Sequence, residues 1–216
     1  MQDGTLNNQF YGKEGEAIFS LSRGLLNRKM VDLAEKEGVK FYFEHKIWDV
    51  NLATATLFEG ETENGAWTEL KFDKVFGADG AFSRIRHRMQ RQSMFDYSQE
   101  FMQIGYKELH IPANADGSHK IDKNSLHIWP RGNFMLMALA NLQGSFTCTL
   151  FMPFVGENSF ESIKNEQDLT DFFAEFFPDT KEVIPDLVRD YFKNPTSYLA
   201  IMKCFPWTYV DKVALI

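Results

Sequence analysis

The sequence lacks the motifs that mark most self-contained nucleotide-binding and catalytic domains. The dinucleotide fingerprint G-x-G-x-x-G occurs nowhere in the 216 residues, and neither does a P-loop or a G-x-S-x-G elbow. The five histidines form no H-E-x-x-H pair, which argues against a zinc site. Because no nucleophile or acid/base pair stands out either, we predict no catalytic side chain and no metal ligand. A bound cofactor would then carry any chemistry.

Cysteine and long apolar runs are also scarce, and the 23 basic residues are outnumbered by 30 acidic ones. The two cysteines, Cys148 and Cys204, lie far apart in the sequence, which fits a reducing compartment better than a disulfide framework. There is no signal peptide and no apolar run of about 18 residues, so we expect a cytoplasmic chain without a membrane segment. The net charge of −7 makes a nucleic-acid surface improbable.

Apolar residues are plentiful, and their spacing predicts a mixed α/β fold. They make up 44% of the chain, with 21 phenylalanines, which is enough for a substantial core. Helices are predicted after Ser22 as far as Gly38, around residues 169–177 and around 187–192. Strands are predicted at residues 16–21, 39–50, 106–111, 126–129, 134–139, 145–152, 198–204 and 212–216, with a hairpin at 54–72.

Residues 73–88, DKVFGADGAFSRIRHR, are the most informative segment. An apolar strand ends in Gly77-Ala78-Asp79-Gly80, and a helix beginning near Ser83 follows. A buried strand, a tight turn and a helix N-terminus form an arrangement that binds phosphate. The basic side chains after the turn indicate either a phosphate-facing patch or a solvated helix face; they are Arg84, Arg86, His87, Arg88 and Arg91.

Three consecutive predicted strands offer a second feature, a shared apolar face. Alternate residues of a strand point to the same side, and methionine adapts well to flat rings. The face suits either a planar apolar ligand or ordinary packing against a helix. Its members are Leu126, Ile128, Met135, Met137, Leu139, Thr147, Thr149 and Phe151.

Two single residues complete the candidates. Arg23 follows the predicted cap Ser22, where a cation opposes the helix dipole, so it either binds an anion or points to water. Tyr11, by itself, is only a tyrosine in a loop.

Several of these segments resemble class A FAD-dependent aromatic hydroxylases, and among them the kynurenine 3-monooxygenase family. They are LHIWPR at 126–131, FMLMAL at 134–139, SFTCTLFMP at 145–153, QFYG at 9–12 and the Asp79-Gly80 segment. The resemblance covers nearly the whole chain. It implies a p-hydroxybenzoate-hydroxylase-like fold, in which an FAD-binding domain is interleaved with a mixed-sheet substrate domain. Residues 1–92 would be an incomplete FAD-binding part with a β-meander, 93–204 the substrate-binding sheet and helices, and 205–216 a strand returning to the FAD-binding part.

The resemblance also implies the roles of particular residues. Tyr11 would bind the carboxylate of the substrate. The pocket around the substrate ring would be formed by Leu126, Met135, Met137, Leu139, Thr149 and Phe151. Contacts with FAD would come from Arg23, from Trp48 largely through its backbone and from Arg84 through its backbone, with Asp79 and Gly80 near a pyrophosphate.

The implied reaction of the intact enzyme uses FAD, NADPH and O2 to convert L-kynurenine to 3-hydroxykynurenine. Because the G-x-G-x-x-G unit is missing, we expect the chain to be a central fragment that is inactive and retains no cofactor. Unpaired sheet edges would then favour a homo-oligomer. Two alternatives remain open: a flavin hydroxylase of another aromatic acid, and a cofactor-free module that binds a ligand or a partner.

Overall fold

The computed structural model describes residues 6–10, 12–13, 16 and 20–216. Tyr11 and residues 17–19 lie outside the described residues, and with them the predicted strand at 16–21 and the predicted role of Tyr11. The chain divides into two compact units. The first takes in the described residues as far as Leu33 together with Phe101–Leu199, and the second consists of Ala34–Glu100 and Ala200–Ile216.

The elements follow the predicted mixture of helices and strands. The helices are α1 (Arg23–Lys36), α2 (Arg84–Met89), α3 (Glu166–Phe176) and α4 (Leu187–Lys193). The strands are β1 (Ile47–Asn51), β2 (Thr56–Glu59), β3 (Thr68–Lys71), β4 (Val75–Gly77), β5 (Asp96–Ile111), β6 (His127–Arg131), β7 (Phe134–Ala140), β8 (Phe146–Pro153), β9 (Ser197–Phe205), β10 (Thr208–Tyr209) and β11 (Val213–Leu215). Short 3-10 turns occur at Gly80–Phe82 and Pro178–Thr180.

The first unit is organised around a sheet with the strand order β6-β7-β8-β5-β9. Each of the neighbouring pairs from β6 to β5 is antiparallel. One side of β7, β8 and the end of β5 is buried beneath α3 and α4, where side chains such as Leu136 and Leu150 pack against Phe172, Phe173 and Phe177. Strict alternation along β7 and β8 therefore directs every second residue away from this core.

The second unit contains two small sheets. Strands β1, β2 and β3 form an antiparallel meander, as the Asn64-Gly65 turn predicts. Strand β11 pairs parallel with β4, and β10 pairs antiparallel with β11. Helix α2 buries Ile85 and Met89 in a core shared with Val50 and Val213, so the Asp79-Gly80 turn is held between a strand and a helix.

Two predicted elements differ from the structure. The strand predicted at 39–50 begins only at Ile47, because Gly38, two residues after the end of α1, has a φ of +89° and Glu44 has a positive φ of 64°. Strand β5 begins at Asp96, ten residues before the predicted start at Tyr106. Its first eight residues are all exposed in the structure. Because neither side of this part of the strand is buried, the sequence carries no signal that it is a strand.

Candidate functional site

The first candidate site is the side of the large sheet that α3 and α4 do not cover, which we call the open face. The predicted pocket residues Met135, Met137 and Leu139 on β7 lie on this side and are half-buried, whereas Leu136 and Ala138 between them are fully buried. On β8, Thr149 and Phe151 are likewise half-buried and alternate with buried residues. The structure thus brings five of the predicted pocket residues to one side of two adjacent strands.

The strand register places these side chains in rows across the sheet. Met135 is the direct partner of Phe151, and Met137 is the direct partner of Thr149. Direct partners on antiparallel strands have Cβ atoms about 4.5–5.5 Å apart. The pairs therefore form a continuous surface of sulfur, methyl and ring atoms. Leu126 is half-buried but precedes β6, so the strand ladder does not fix its position.

One end of the open face carries a polar network. The amide nitrogen of Asn141 donates hydrogen bonds to the hydroxyls of Ser145 and Thr147, each at 3.2 Å. The ring Nε2 of His119 lies 2.9 Å from the backbone oxygen of Asn141. Asn141 is buried, and these contacts satisfy its polar atoms. The face is therefore apolar in its middle and polar at this rim.

Strand β5 adds residues to the open face that sequence analysis missed. β5 pairs with β8, which puts Tyr106 opposite Phe151 and Glu108 opposite Thr149. The rings of Tyr106 and Phe151 have centroids 6.0 Å apart, so the two side chains share a side of the sheet. The alternation of residues 106–111 was visible in the sequence, but nothing in it showed that β5 lies beside β8.

The second candidate site is the Asp79-Gly80 segment of the other unit. The Asp79 carboxylate accepts hydrogen bonds from the hydroxyl of Ser83 at 2.5 Å and from the backbone N–H groups of Arg84 at 2.7 Å and Ile85 at 3.4 Å. The Ser83 hydroxyl in turn accepts a hydrogen bond from the Arg86 N–H at 2.9 Å. A carboxylate of the chain itself thus occupies the start of α2, the place where the turn predicted a phosphate.

Gly80 has an open side next to this turn. Its φ is +73°, a conformation that favours glycine, and a Cβ placed there would meet no heavy atom within 4 Å. Asp79 and Gly80 are both exposed. Their contact with a pyrophosphate stays a prediction, and any such contact would involve the exposed turn rather than the first amides of α2.

Trp48 and Arg84, both predicted to contact FAD, come together in the structure. The guanidinium carbon of Arg84 lies 5.1 Å from the centre of the Trp48 ring, and the Lys46 ammonium lies 3.9 Å from it. The indole N–H of Trp48 donates a hydrogen bond to the Gly60 oxygen at 2.8 Å, which fixes the ring. Arg84 also forms an ion pair of 2.8 Å with Glu63. These contacts create a half-buried indole flanked by two cations.

The other basic residues of α2 mostly bind to their own surroundings. Arg86 donates hydrogen bonds to the backbone oxygens of Gly80 and Ala81 at 3.0 Å and 2.5 Å. Arg88 lies 3.7 Å from Asp49, and Arg91 lies 3.3 Å from the ring nitrogen of His87. Of the two interpretations of this basic cluster, the structure favours a solvated, locally paired helix face, with Arg84 set apart by its position beside Trp48.

Arg23 is the first residue of α1 and is exposed. Ser22 caps the helix as predicted, because its hydroxyl accepts a hydrogen bond from the Leu25 N–H at 3.5 Å and its backbone oxygen accepts one from Leu26 at 2.9 Å. Within the described part of the chain, no carboxylate forms an ion pair with Arg23. Its predicted contact with FAD stays a prediction.

The described residues contain no metal-binding cluster and no helix suited to a membrane. No group of three or more histidine, cysteine, aspartate or glutamate side chains there is placed to hold a metal ion. No helix in the described ranges has the length and apolar character needed to cross a membrane. Cys148 and Cys204 are free thiols, and burial raises the pKa of Cys148 to about 12.

Comparison with curated proteins shows which known enzyme the chain is similar to. The chain is 72% identical over 211 residues to kynurenine 3-monooxygenase of Flavobacterium psychrophilum, covering 98% of this chain and 47% of that protein. It is 44% identical over 200 residues to kynurenine 3-monooxygenase of Dictyostelium discoideum, covering 92% of this chain and 43% of that protein. The chain thus spans about half the length of the curated relatives it matches. No family model matches it.

Solved structures show the fold. The chain superposes on a mutant of 2-methyl-3-hydroxypyridine-5-carboxylic acid oxygenase with a TM-score of 0.71 at 17% identity, covering 91% of this chain and 50% of that one. It superposes on an HpxO variant of Klebsiella pneumoniae complexed with FAD with a TM-score of 0.61 at 16% identity, covering 90% and 48%. The predicted fold class is confirmed. Along nearly all of its own length, the chain is similar to kynurenine 3-monooxygenases, and it has the fold of FAD-dependent aromatic hydroxylases.

Proposed function

We propose that the chain is the part of an FAD-dependent monooxygenase that binds L-kynurenine for conversion to 3-hydroxykynurenine with NADPH and O2. The main support is that Met135, Met137, Leu139, Thr149 and Phe151, the residues that the family resemblance implies for the pocket, share the open face. An identity of 72% to a kynurenine 3-monooxygenase favours this substrate over another aromatic acid.

The side chains of the open face would bind and orient the substrate ring. Half-buried methionine and phenylalanine side chains gain contact area when a planar ring covers them, and the fixed strands limit the orientations of that ring. A ring bound against the sheet also displaces water from the reacting carbon. Because the amino group of the kynurenine ring already donates electrons, hydroxylation needs no strong base from the protein. The lack of an acid/base pair in the sequence agrees with this chemistry.

The residues around Trp48 fit an anionic cofactor such as FAD. Lys46 and Arg84 flank the indole ring, and this pair of cations suits the phosphate groups of a dinucleotide. The exposed turn at Asp79 and Gly80 would lie near the pyrophosphate. Arg23 is a separate contact with FAD that the family resemblance implies. When bound, FAD activates O2 so that one oxygen atom can be transferred to the ring. NADPH as the source of electrons is part of this proposal and rests on the family resemblance.

Three further expectations belong to the same proposal. We expect the chain alone to be inactive and to bind no stoichiometric FAD, so that a flavin absorbance band in the purified chain would contradict us. We expect homo-oligomers through sheet edges such as β6, which light scattering over a range of concentrations would test. We place the chain in the cytoplasm, and its two free cysteines support this location.

The experiment is an assay of the intact protein that contains this chain. We expect NADPH oxidation that depends on L-kynurenine, with 3-hydroxykynurenine as the product. Met137→Ala should lower kcat/KM about 10-fold or more, since burial of a methionine side chain contributes about 1.5–3 kcal/mol. Met94→Ala is the matched control, because Met94 is 93% exposed. Turnover of a different aromatic acid would indicate the alternative hydroxylase, and tight binding of kynurenine without FAD would indicate the binding module.

A further inference from the structure

Glu108 is an acidic residue on the open face. Strand β5 alternates sharply at this point: Lys107 and Leu109 are buried on the helix side, whereas Glu108 is exposed. Tyr106, two residues earlier, contacts Phe151 on the open face, so Glu108 points to the same side. Among the ion pairs of the described residues, none involves Glu108. Its carboxylate is therefore available to a cation from outside the sheet.

The row that contains Glu108 changes from apolar to charged across the sheet. Ile128 on β6 is the register partner of Met137 on β7, Met137 of Thr149 on β8, and Thr149 of Glu108 on β5. Neighbouring strands lie about 4.8 Å apart, so the row spans about 14 Å. A ligand lying along it would meet two apolar side chains, then a hydroxyl-bearing side chain, and finally a carboxylate. Such a row suits a molecule with an aromatic ring at one end and a cation at the other.

Hydrogen bonds from Asn194 and Lys107 hold the backbone around Glu108 in place. The side-chain amide of Asn194 donates a hydrogen bond to the Glu108 backbone oxygen at 2.8 Å. The neighbouring Lys107 ammonium donates hydrogen bonds to the backbone oxygens of Tyr191 at 2.8 Å and Asn194 at 3.0 Å. Strand β5 is thus tied to the end of α4 at this residue. The rigid backbone lowers the entropy cost of placing the carboxylate against a ligand.

We infer that the Glu108 carboxylate binds the α-ammonium group of an amino-acid substrate whose ring lies over Met137 and Thr149. The inference rests on the proposed function and names the group that distinguishes an amino acid from a simple aromatic acid. In L-kynurenine, the ring and the ammonium group are separated by a short chain that spans between one and two strand spacings. A charge-assisted hydrogen bond between an ammonium and a carboxylate is about twice as strong as a neutral one. Glu108 is therefore a specificity-determining residue.

The test compares two substrates on the intact FAD-loaded protein. One is L-kynurenine, and the other is its analogue with hydrogen in place of the α-amino group. In Glu108→Gln, we expect kcat/KM for L-kynurenine to fall about 10- to 100-fold, mainly through KM, because a hydrogen bond between charged groups is lost. For the analogue, kcat/KM of Glu108→Gln should stay within about 2-fold of the wild-type value, because the analogue has no ammonium group that could bind Glu108.

Glu175→Gln is the matched control. Glu175 is exposed on α3, the helix that packs on the opposite side of the same sheet, and the substitution changes the net charge equally. Equal effects of Glu108→Gln on both substrates, or no effect on either, would overturn the inference while the wild-type activity upholds the proposed function. If the wild-type protein does not hydroxylate L-kynurenine, the proposed function fails and the inference fails with it.

Discussion

The structure predicts that Lys107 stabilises the first unit by capping α4. Its ammonium donates hydrogen bonds to the backbone oxygens of Tyr191 and Asn194 at 2.8 Å and 3.0 Å, and lies 4.5 Å from the centre of the Tyr191 ring. Carbonyl groups at a helix C-terminus have no partners within the helix, and a cation there also interacts favourably with the helix dipole. Lys107→Met keeps most of the apolar stem and removes the donors.

The size of the effect follows from two opposing contributions. Leaving buried acceptors without a donor costs about 1–3 kcal/mol each, and two are affected. Removing Lys107 also removes the cost of burying an ammonium group, because the residue is only 7% exposed. We therefore expect Lys107→Met to lower the free energy of unfolding by about 2–4 kcal/mol, a shift of about 1 M in the urea midpoint.

The pH dependence gives an independent check on the same residue. Burial lowers the pKa of Lys107 from its ordinary value of 10.5. Between the lowered pKa and the ordinary one, the unfolded chain binds more protons than the folded chain, so the contribution of Lys107 to stability increases with pH. The difference in unfolding free energy between wild type and Lys107→Met should therefore grow as the pH rises through this window.

The assay is urea unfolding followed by circular dichroism, at neutral pH and again in the alkaline range. Lys164→Met is the matched control, because Lys164 is an exposed lysine of the same unit and the substitution removes the same charge. We expect the control to change the unfolding free energy by less than about 0.5 kcal/mol. Equal midpoints for the two variants would refute the capping role of Lys107.

Two further predictions concern buried positions. Cys148 should resist thiol-labelling reagents in the folded chain and react only on unfolding, because it is fully buried and burial raises the pKa of its thiol to about 12. Half-buried Cys204 should react first. Labelling followed by mass spectrometry checks the order in which the two cysteines react. Gly105→Ala should destabilise the chain by about 1–3 kcal/mol, since a Cβ there would lie 2.9 Å from the backbone oxygen of Ser197. Gly24→Ala is its control in thermal unfolding, because nothing lies within 4 Å of that position.

The elements with strong local patterns could be predicted from the sequence. Strands β6, β7 and β8 alternate regularly and are separated by turns with glycine, while α3 and α4 carry aromatic residues at helical spacing. The prediction that Met135, Met137 and Leu139 share a side follows from the same alternation. These features depend on neighbours in sequence, which is why one chain alone reveals them.

Features that depend on distant pairing could not be predicted. Strand β5 lies between β8 and β9, and this order brings Glu108 beside Thr149, although 41 positions of sequence separate them (149 − 108). The turn at Asp79 posed a different difficulty. A helix start after a glycine turn suggests a phosphate site, but an aspartate in the turn can reach the same amides, and in this chain it does.

Helix α1 shows a further limit of sequence patterns. Its boundaries and its Ser22 cap agree with the prediction, yet Leu25, Leu26, Met30 and Leu33 remain 43–56% exposed. Helical spacing of apolar residues shows that a helix has an apolar stripe, but not what covers that stripe.

A crystal structure of the intact protein with L-kynurenine bound would test the role of the open face most directly. We predict that the aromatic ring of the substrate lies in van der Waals contact with Met137, Thr149 and Phe151, with its ammonium group at the Glu108 carboxylate. A substrate ring bound elsewhere, with the open face covered by other protein side chains, would contradict the proposed site.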